Sequence, residues 1–415
     1  MPVKHSKSAV KKIRLIFSVS TAVLVVFFAY FVSLYARGYR LNQKTLRIEP
    51  NGILVIKSDP DGAQVFIDGE FKTATNATLS LSPGTYDISI KKEGYIEWNK
   101  RLVIEREIVT ETTAHIFKSV PSLSAATFSG ATNPVPSPDM SKIAYVVPTI
   151  KNDNDHNSDN AGLWVMETVN LPLGFSRDPR RITDGDLSSA KITWSPNSQE
   201  ILVTIGTGSY LIDTSRLVPQ REKVNISSGV DDLLSEWETE KNRRLASQFK
   251  NLPREVADVL QRKSSSVSFS PDKDMVLYIA SGSALLPDNL IKPLPGSSTQ
   301  RQQREIKPGH TYVYDIKEDR NFLIDDHSVD LEIPSGFSSN SKRKIMWFPT
   351  SRHIVLAEDR KVIIMDNDGT NRKEVFSGSY VSPHAYSNVN ISRLVILTNL
   401  GADSIIPNLY SLSLK

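Results

Sequence analysis

The chain has 415 residues, a formal net charge of +4 and no cysteine. Five basic residues and no acidic residue lie in the first 14 positions, and residues 15–36 carry no charge, so the formal net charge of residues 37–415 is −1. A nearly neutral body lacks the basic surface that follows a phosphate backbone, which excludes nucleic acid as the expected partner. The lack of cysteine suits an oxidising exterior.

The first predicted element is a transmembrane helix over residues 15–36. At about 1.5 Å per residue, an uncharged helix of this length crosses the roughly 30 Å hydrocarbon core of a bilayer. It is longer than the apolar core of most signal peptides, about 7–15 residues, and Ser33–Ala36 matches a cleavage site poorly. A buried core helix would show a polar face, which this segment lacks. We therefore predict an uncleaved anchor.

The predicted topology places residues 1–14 in the cytoplasm and the bulk of the chain outside. Basic residues flank both ends of the helix, so the charge bias is small. A long domain after the helix translocates largely regardless of its charge, whereas a short basic tail stays inside. We predict a single-pass plasma-membrane protein in which residues 37–51 form a stalk.

Residues 52–117 show short apolar runs separated by turn residues. The run Ile53–Ser58 ends at Asp59–Gly62, and Asp68-Gly69 is a strong two-residue hairpin signal. Apolar residues then alternate with polar ones over residues 86–91, as on a half-buried strand. This pattern predicts a small antiparallel β-sandwich.

The turns of this segment resemble those of the PEGA domain family, which is named for a Pro-Glu-Gly-Ala turn. Here the turn is Pro60–Ala63, with Asp61 in place of Glu. Leu81-x-Pro83-Gly84-x-Tyr86 and Gly94-Tyr95-x-x-Trp98 follow at the family spacing, whereas Lys72–Asn76 departs from the usual Gly-x-Thr-Pro turn. The resemblance implies a β-sandwich of the prokaryotic cell surface or envelope and implies no catalytic residue.

A turn motif recurs five times within residues 120–415, and two apolar strands follow each copy. A unit of three or four strands cannot bury its own faces, so the copies must stack, and radial stacking gives a β-propeller. The Ser-Pro-Asp turn resembles the repeats of TolB-like (PD-repeat, WD40-like) propellers, which implies that fold here. The copies are Val135–Asp139, Thr193–Asn197, Ser268–Asp272, Met346–Thr350 and, weakest, Tyr380–His384.

Five blades are predicted, with six as the alternative. The first four units offer an outer strand, as at Arg180–Thr183 and Asn321–Ile324, but the fifth stops at Lys415 without one. Ser122–Phe128 precedes the first unit and has no other partner. We therefore predict that it pairs with the last unit and closes the ring.

One segment, Val230–Lys263, breaks the β pattern. Its apolar residues recur every three or four positions, and Pro253 marks a second helix start. The pattern predicts a helical hairpin inserted between the second and third units. It either covers the flank or mouth of the propeller or serves as a partner-binding or gating element.

The sequence predicts no catalytic, cofactor or metal site. Asp153–Asp159 begins like a calcium loop, but Ser158 replaces the expected Gly and Trp164 replaces the bidentate Glu. Asp366–Gly369 is a predicted hairpin turn, and Gly206–Ser209 lacks the Lys of a phosphate loop. The His residues show no metal-ligand spacing, and no Gly-x-Ser-x-Gly elbow occurs.

The sequence therefore predicts an all-β, membrane-anchored, extracytoplasmic binding or scaffold protein of the cell envelope that is not an enzyme. The expected partner is an envelope protein or a glycan, held by propeller and sandwich surfaces. The alternatives are a propeller hydrolase or lyase with a site in the central channel, and a purely structural envelope component. Acidic and His residues in the channel would favour the enzyme, and apolar and hydroxyl side chains would favour the binding protein.

Overall fold

The computed structural model describes two compact units. The described residues are 7–36, 38–41, 48–149, 160–169, 177–292, 294, 299–331, 342–402 and 405–415. The first unit comprises Met1–Lys91, Asn99–His115 and Pro295–Thr299, and the second comprises Lys92–Trp98, Ile116–Leu294 and Gln300–Lys415.

The first unit begins with helix α1 (Lys7–Ala36). Its apolar stretch Arg14–Ala36 has 23 residues, and none of it is buried by the described residues. Apolar surface of this extent is unfavourable in water. An apolar helix long enough to cross a bilayer, as predicted, is confirmed. Strands β1 (Tyr39–Leu41) and β2 (Ile48–Pro50) pair antiparallel after it.

The strands between residues 52 and 115 form two sheets. They are β3 (Gly52–Asp59), β4 (Gln64–Ile67), β5 (Glu70–Ala74), β6 (Ala77–Leu81), β7 (Gly84–Lys91), β8 (Trp98–Ile104) and β9 (Val109–His115). One sheet has the order β6-β3-β9 and the other β5-β4-β7-β8. Alternate side chains are buried on each, such as Leu54 and Ile56 on β3 and Ile90 on β7. This is the burial pattern of a β-sandwich.

The prediction that this sandwich is antiparallel throughout is wrong for one strand pair. β3 and β9 run parallel, from Ile53 opposite Val109 to Asp59 opposite His115. Side-chain alternation indicates which face of a strand is buried. The direction of pairing depends instead on the connections between strands, and no local pattern reports them.

The second unit contains a succession of short strands. They are β10 (Ser122–Ala125), β11 (Thr132–Pro136), β12 (Lys142–Val147), β13 (Gly162–Glu167), β14 (Arg180–Asp184), β15 (Lys191–Trp194), β16 (Glu200–Ile205), β17 (Gly208–Asp213), β18 (Ser264–Phe269), β19 (Met275–Ala280), β20 (Ala284–Leu285), β21 (Glu305–Ile306), β22 (Thr311–Asp315), β23 (Arg320–Asp325), β24 (Asp330–Leu331), β25 (Lys344–Trp347), β26 (His353–Glu358), β27 (Lys361–Asp366), β28 (Lys373–Ser377), β29 (Ala385–Ser387), β30 (Arg393–Thr398) and β31 (Asn408–Ser413).

These strands form five sheets of three or more strands among the described residues, and one further hairpin, β20–β21. Sheets 1 to 5 have the orders β11-β12-β13-β14, β15-β16-β17, β18-β19-β22-β23, β24-β25-β26-β27-β28 and β29-β30-β31-β10. Neighbouring strands within them are antiparallel, except that β24 runs parallel to β25.

Apolar clusters join neighbouring sheets and form the core of the second unit. Each cluster combines side chains from two sheets: sheets 1 and 2, sheets 3 and 4, sheets 4 and 5, and sheets 5 and 1. Examples in the same order are Leu163 with Ile201, Phe322 with Ile354, Val355 with Leu394, and Tyr386 with Tyr145. These four clusters follow the chain order and join the fifth sheet to the first, as in a β-propeller.

The predicted helical hairpin is confirmed as α2 (Val230–Phe249) and α3 (Arg254–Lys263). It covers one face of sheet 3, because Val256 shares an apolar cluster with Tyr278. The side chain of Leu277, which is adjacent to Tyr278 on β19, lies on the opposite face of the sheet and packs in the cluster with sheet 4. Sheet 3 therefore lies between sheet 4 and the helical hairpin.

The predicted ring closure is also confirmed. β10 pairs antiparallel with β31, from Ser122 opposite Ser413 to Ala125 opposite Tyr410. The strand before the first repeat thus completes the sheet of the last one. Since several segments lie outside the described residues, the choice between five and six blades stays a prediction.

The prediction of an outer strand in each of the first four units is wrong for the second. In the described part of the chain, sheet 2 has three strands. After β17 the chain forms two 3₁₀ helices, Gln220–Glu222 and Ser227–Gly229, and a single bridge joins Tyr210 to Asn225. The chain enters α2 at this point, so the segment after β17 leads into the helix instead of returning along the sheet.

The fifth copy of the turn motif lies in a different place from the other four. Ser382 and Pro383 precede β29, whereas the equivalent Ser195 and Pro196 follow β15. The turn between β29 and β30 spans residues 388–392 and contains no proline. Proline favours turns in general, so the Ser-Pro pair alone did not indicate which turn it occupied.

Candidate functional site

The inner strands of the sheets border the channel in a propeller. The described strands β11, β15, β18, β25 and β29 contain no Asp, Glu or His. Their side chains are apolar, hydroxyl or amide, with Lys191 and Lys344 at two strand starts. β24, which extends sheet 4 beyond β25, brings one acidic residue, Asp330.

A pocket of about 420 Å³ between sheets 3 and 4 is lined mainly by charged side chains. At its base lies Asp325, the last residue of β23, with 3% of its side chain exposed. Arg343 donates from Nη1 and Nη2 to the two carboxylate oxygens of Asp325 at 3.3 and 2.9 Å. Arg343 Nη2 also donates to Glu358 Oε1 at 2.6 Å. One guanidinium therefore joins carboxylates from two sheets.

Two further cations lie at the rim of the pocket. Arg372 Nη2 donates to Asp325 Oδ2 at 3.1 Å, and Lys361 Nζ lies 3.0 Å from Glu358 Oε2. Their side chains are 39% and 43% exposed. Together with Arg343 they balance the three carboxylates of the pocket, the third being Asp326. The pocket thus offers paired donors and acceptors without a net charge.

The ion pairs keep both inner carboxylates ionised. Burial acts to raise the pKa of Asp325, but hydrogen bonds from Arg343, the His327 backbone and Arg372 hold that pKa below its ordinary value. Burial also acts to raise the pKa of Glu358. The hydrogen bonds and charges of Arg343 and Lys361 outweigh this effect, so the pKa of Glu358 is lowered. Neither group can act as a general acid near neutral pH. No hydroxyl or thiol nucleophile is among the residues that line the pocket.

The same pocket contains a candidate metal cluster. Asp325, Asp326 and His327 place one ligand atom each within 4.8 Å of one another. A cation there would share Asp325 with Arg343 and Arg372, whose charges would repel it. The other two side chains are 62% and 76% exposed. These residues fit an ion-pair network better than a metal centre.

The repeated Ser-Pro turns hold the sheets together. In three of the five copies, the Ser hydroxyl accepts a hydrogen bond from a backbone amide five residues later, at 2.9–3.0 Å. The pairs are Ser137 with Lys142, Ser195 with Glu200, and Ser270 with Met275. Indole groups link neighbouring sheets, since Trp194 Nε1 donates to Val135 O and Trp347 Nε1 to Ser268 O, both at 3.0 Å. The motif residues are therefore structural.

A buried polar chain in sheet 4 has the composition of a catalytic triad. His353 lies 2.7 Å from Thr350 Oγ1 through Nδ1 and 3.5 Å from Asp366 Oδ1 through Nε2. His353 and Asp366 are only 3% and 5% exposed. Trp98, within the same unit, donates to Asp366 Oδ2 at 3.2 Å and Phe117 packs edge-on against His353. Because no substrate could reach the imidazole, this group of side chains is not an active site. Through Trp98 it anchors residues 92–98 on sheet 4.

A half-buried histidine joins sheet 5 to sheet 1. His384 Nδ1 lies 2.5 Å from the Tyr386 hydroxyl, which donates to Pro134 O at 2.9 Å. Burial, assisted by the charge of Lys344, lowers the pKa of His384 to about 4. The imidazole is therefore neutral at physiological pH.

The motifs that the sequence singled out are placed as follows. Asp153–Asp159 lies outside the described residues. Asp366–Gly369 forms the predicted turn, in which Gly369 N donates to Asp366 O at 2.9 Å. Gly206–Ser209 belongs to the β16–β17 hairpin, where Ile205 lies opposite Gly208.

The sequence did not indicate the charged pocket. Asp325, Arg343, Glu358 and Arg372 come from four separate parts of two sheets, with no fixed spacing between them. Asp325 and Glu358 end a strand and Arg343 and Arg372 precede one, and charged residues commonly lie at such strand ends. Only the packing of sheet 3 on sheet 4 brings them together.

Comparison with known families identifies one domain. Residues 51–119 match the PEGA domain family. The turns that carried the resemblance lie within this range, so the chain contains a PEGA domain. No curated protein sequence matches the chain.

Solved structures with some likeness to the chain include β-propeller proteins at low identity. A protein assigned as TolB from Agrobacterium tumefaciens is 11% identical with a TM-score of 0.21, over 68% of this chain and 77% of that chain. TolB from Acinetobacter baumannii is 12% identical with a TM-score of 0.19, over 79% of this chain and 59% of that one. The Cps50 (Swd1) β-propeller domain of Myceliophteria thermophila is 9% identical with a TM-score of 0.28, over 71% of this chain and 100% of that one.

Proposed function

We propose that this chain is a single-pass, membrane-anchored binding or scaffold protein of the cell envelope, with its N-terminus in the cytoplasm and its β units outside. It has no catalytic role in this proposal. Its partner is an envelope protein or a glycan, held by surfaces of the propeller and the PEGA sandwich.

The observation that carries the proposal is the unburied apolar helix α1. A stretch of 23 residues that no described residue covers needs an apolar phase, and a bilayer supplies one of matching thickness. The PEGA domain supports the same location, because resemblance to this family implies a protein of the cell surface or envelope.

The composition of the inner strands supports binding over the enzyme alternative. The described inner strands lack the Asp, Glu and His residues from which a channel site would be built, apart from Asp330 on β24. In the pocket, the inner carboxylates are ionised and paired with cations. Paired donors and acceptors without net charge suit the hydroxyl groups of a sugar or the polar groups of a peptide.

Membrane fractionation and cross-linking test the proposal together. The full chain should stay with the membrane pellet after a high-salt or alkaline wash, whereas a variant that lacks residues 7–36 should be released. Cross-linking in intact cells, followed by solubilisation, should recover the same envelope protein or glycan from independent cultures. Release of the full chain by the wash would contradict the anchor, and recovery of no envelope component would contradict the binding role.

A further inference from the structure

The helical hairpin divides into two parts that pack differently. The end of α2 and all of α3 pack on sheet 3 through the apolar residues Leu245, Phe249, Leu252, Val256 and Leu260. The apolar residues near the start of α2 are not part of that cluster, which contains no residue before Leu245 of the helix. We call residues 230–240 the acidic half-helix, for the charges described below.

The acidic half-helix carries an apolar stripe. Val230, Leu233, Leu234 and Trp237 are spaced at i, i+3, i+4 and i+7, so they lie on one face of the helix. Leu234 is 38% exposed, and the other three are partly exposed. This stripe is therefore only partly covered by the described residues.

Acidic residues border the stripe on both sides. The half-helix contains five of them and no Lys or Arg, which gives a formal charge of −5: Asp231, Asp232, Glu236, Glu238 and Glu240. Glu240 pairs with Arg243 at 2.6 Å and Arg244 at 2.7 Å. Within the described part of the chain, the other four make no ion pair and no side-chain hydrogen bond.

The stability of the helix does not account for this charge pattern. Asp231 and Asp232 lie in the first turn, where the helix dipole favours negative charge. Glu236, however, lies four residues from both Asp232 and Glu240, and like charges at this spacing weaken a helix. Arg243 and Arg244 already offset the charge of Glu240, so an opposite charge supplied from outside the chain would chiefly relieve the repulsion between Asp232 and Glu236.

We propose that the acidic half-helix is a docking surface for a basic amphipathic segment of a second protein. The apolar stripe would pack against the apolar face of that segment, and Lys or Arg side chains of the partner would pair with the bordering carboxylates. Arg244 Nη1 donates to Pro196 O at 2.7 Å, which fixes the half-helix beside the first turn of sheet 2. The inference rests on the proposed binding function and names the chemistry of one partner.

Two synthetic peptides test the proposal on the full chain in phosphatidylcholine nanodiscs. One is a helical peptide with a Leu stripe flanked by Lys, and the other has Glu in place of each Lys. We expect the Lys peptide to bind with a dissociation constant on the order of 10 µM, to shift the fluorescence of Trp237, and to be released by high salt. The Glu peptide should not bind. Trp237→Phe should remove the fluorescence shift, and empty nanodiscs give the background from lipid.

Paired charge reversals separate the surface from the overall charge. Glu236→Lys with Glu238→Lys should weaken binding of the Lys peptide at least tenfold. Glu255→Lys with Glu374→Lys changes the net charge equally at exposed positions elsewhere and should leave binding unchanged. Equal effects of the two pairs, equal binding of both peptides, or no binding at 100 µM would overturn the docking surface. Because this assay does not depend on membrane orientation, such a result would leave the proposed anchoring untouched.

Discussion

Sheets 3 and 4 pack directly on each other, whereas the other face of sheet 3 is covered by the helical hairpin. The direct junction carries specific polar links, such as the Trp347 indole on Ser268 O and the Arg343 fork on Asp325. The hairpin junction relies on apolar packing of Val256, which shares a cluster with Tyr278. The junction built from repeats thus has fixed geometry.

The two junctions differ in how readily they accept an insertion. A face that packs on a neighbouring sheet must reproduce the links of that junction, which leaves it little freedom. The hairpin needs only an apolar face over part of its length. Residues 230–240 are therefore not required for packing on sheet 3 and can carry a surface for another molecule.

The largest expected effect is at the direct junctions. Trp347→Ala removes a side chain that is 7% exposed together with its hydrogen bond to sheet 3, and should lower the free energy of unfolding by about 3–5 kcal/mol. Trp194→Ala should act similarly between sheets 1 and 2. Thermal denaturation followed by near-UV circular dichroism would measure both. A loss below about 1 kcal/mol would mean that the repeated indoles do not fix the junctions.

The next effect is a pH dependence at the junction of sheets 5 and 1. The pKa of His384 is lowered to about 4 from an ordinary value of 6.5. Between these two pH values, His384 is protonated in the unfolded chain and neutral in the folded protein. Stability should therefore fall as the pH decreases from about 6.5 to 4. His384→Gln should show a smaller loss of melting temperature across this window. Identical pH profiles of the two proteins would contradict the neutral imidazole.

Asp325→Asn should have a smaller effect at the junction of sheets 3 and 4. The substitution leaves Arg343 and Arg372 with one carboxylate fewer and should cost about 2 kcal/mol at pH 7, between the values for exposed and buried ion pairs. Because the pKa of Asp325 is lowered in the folded protein, its contribution is present above pH 4 and lost as the pH falls further. The difference between variant and wild type should shrink at pH 3, and a constant difference would argue against the ion pairs.

The smallest effect is expected in the acidic half-helix. Leu234→Ala should change the free energy of unfolding by less than about 0.5 kcal/mol, because the side chain is 38% exposed. Leu260→Ala on α3, at 1% exposure, should cost about 2–5 kcal/mol by comparison. Chemical denaturation of both variants gives the contrast. A large cost at Leu234 would show that the whole of α2 serves packing.

The sequence predicted those features that local patterns or the count of strands per repeat determine. The span of α1 follows from an uncharged run, the hairpin from a three- or four-residue period, and the pairing of β10 with β31 from a strand left over before the first repeat. The parallel pair β3–β9, the missing outer strand of sheet 2 and the pocket around Asp325 depend on contacts between distant segments. No spacing or composition reports these contacts.

In the proposed topology, the β units lie outside a membrane crossed by α1. Because the chain has no cysteine, each introduced cysteine is a unique probe. Glu374→Cys, at an exposed position of β28, should react with a membrane-impermeant maleimide on intact spheroplasts, whereas Ser6→Cys should react only after lysis. Protection of Glu374→Cys until lysis, with labelling of Ser6→Cys on intact spheroplasts, would contradict this topology.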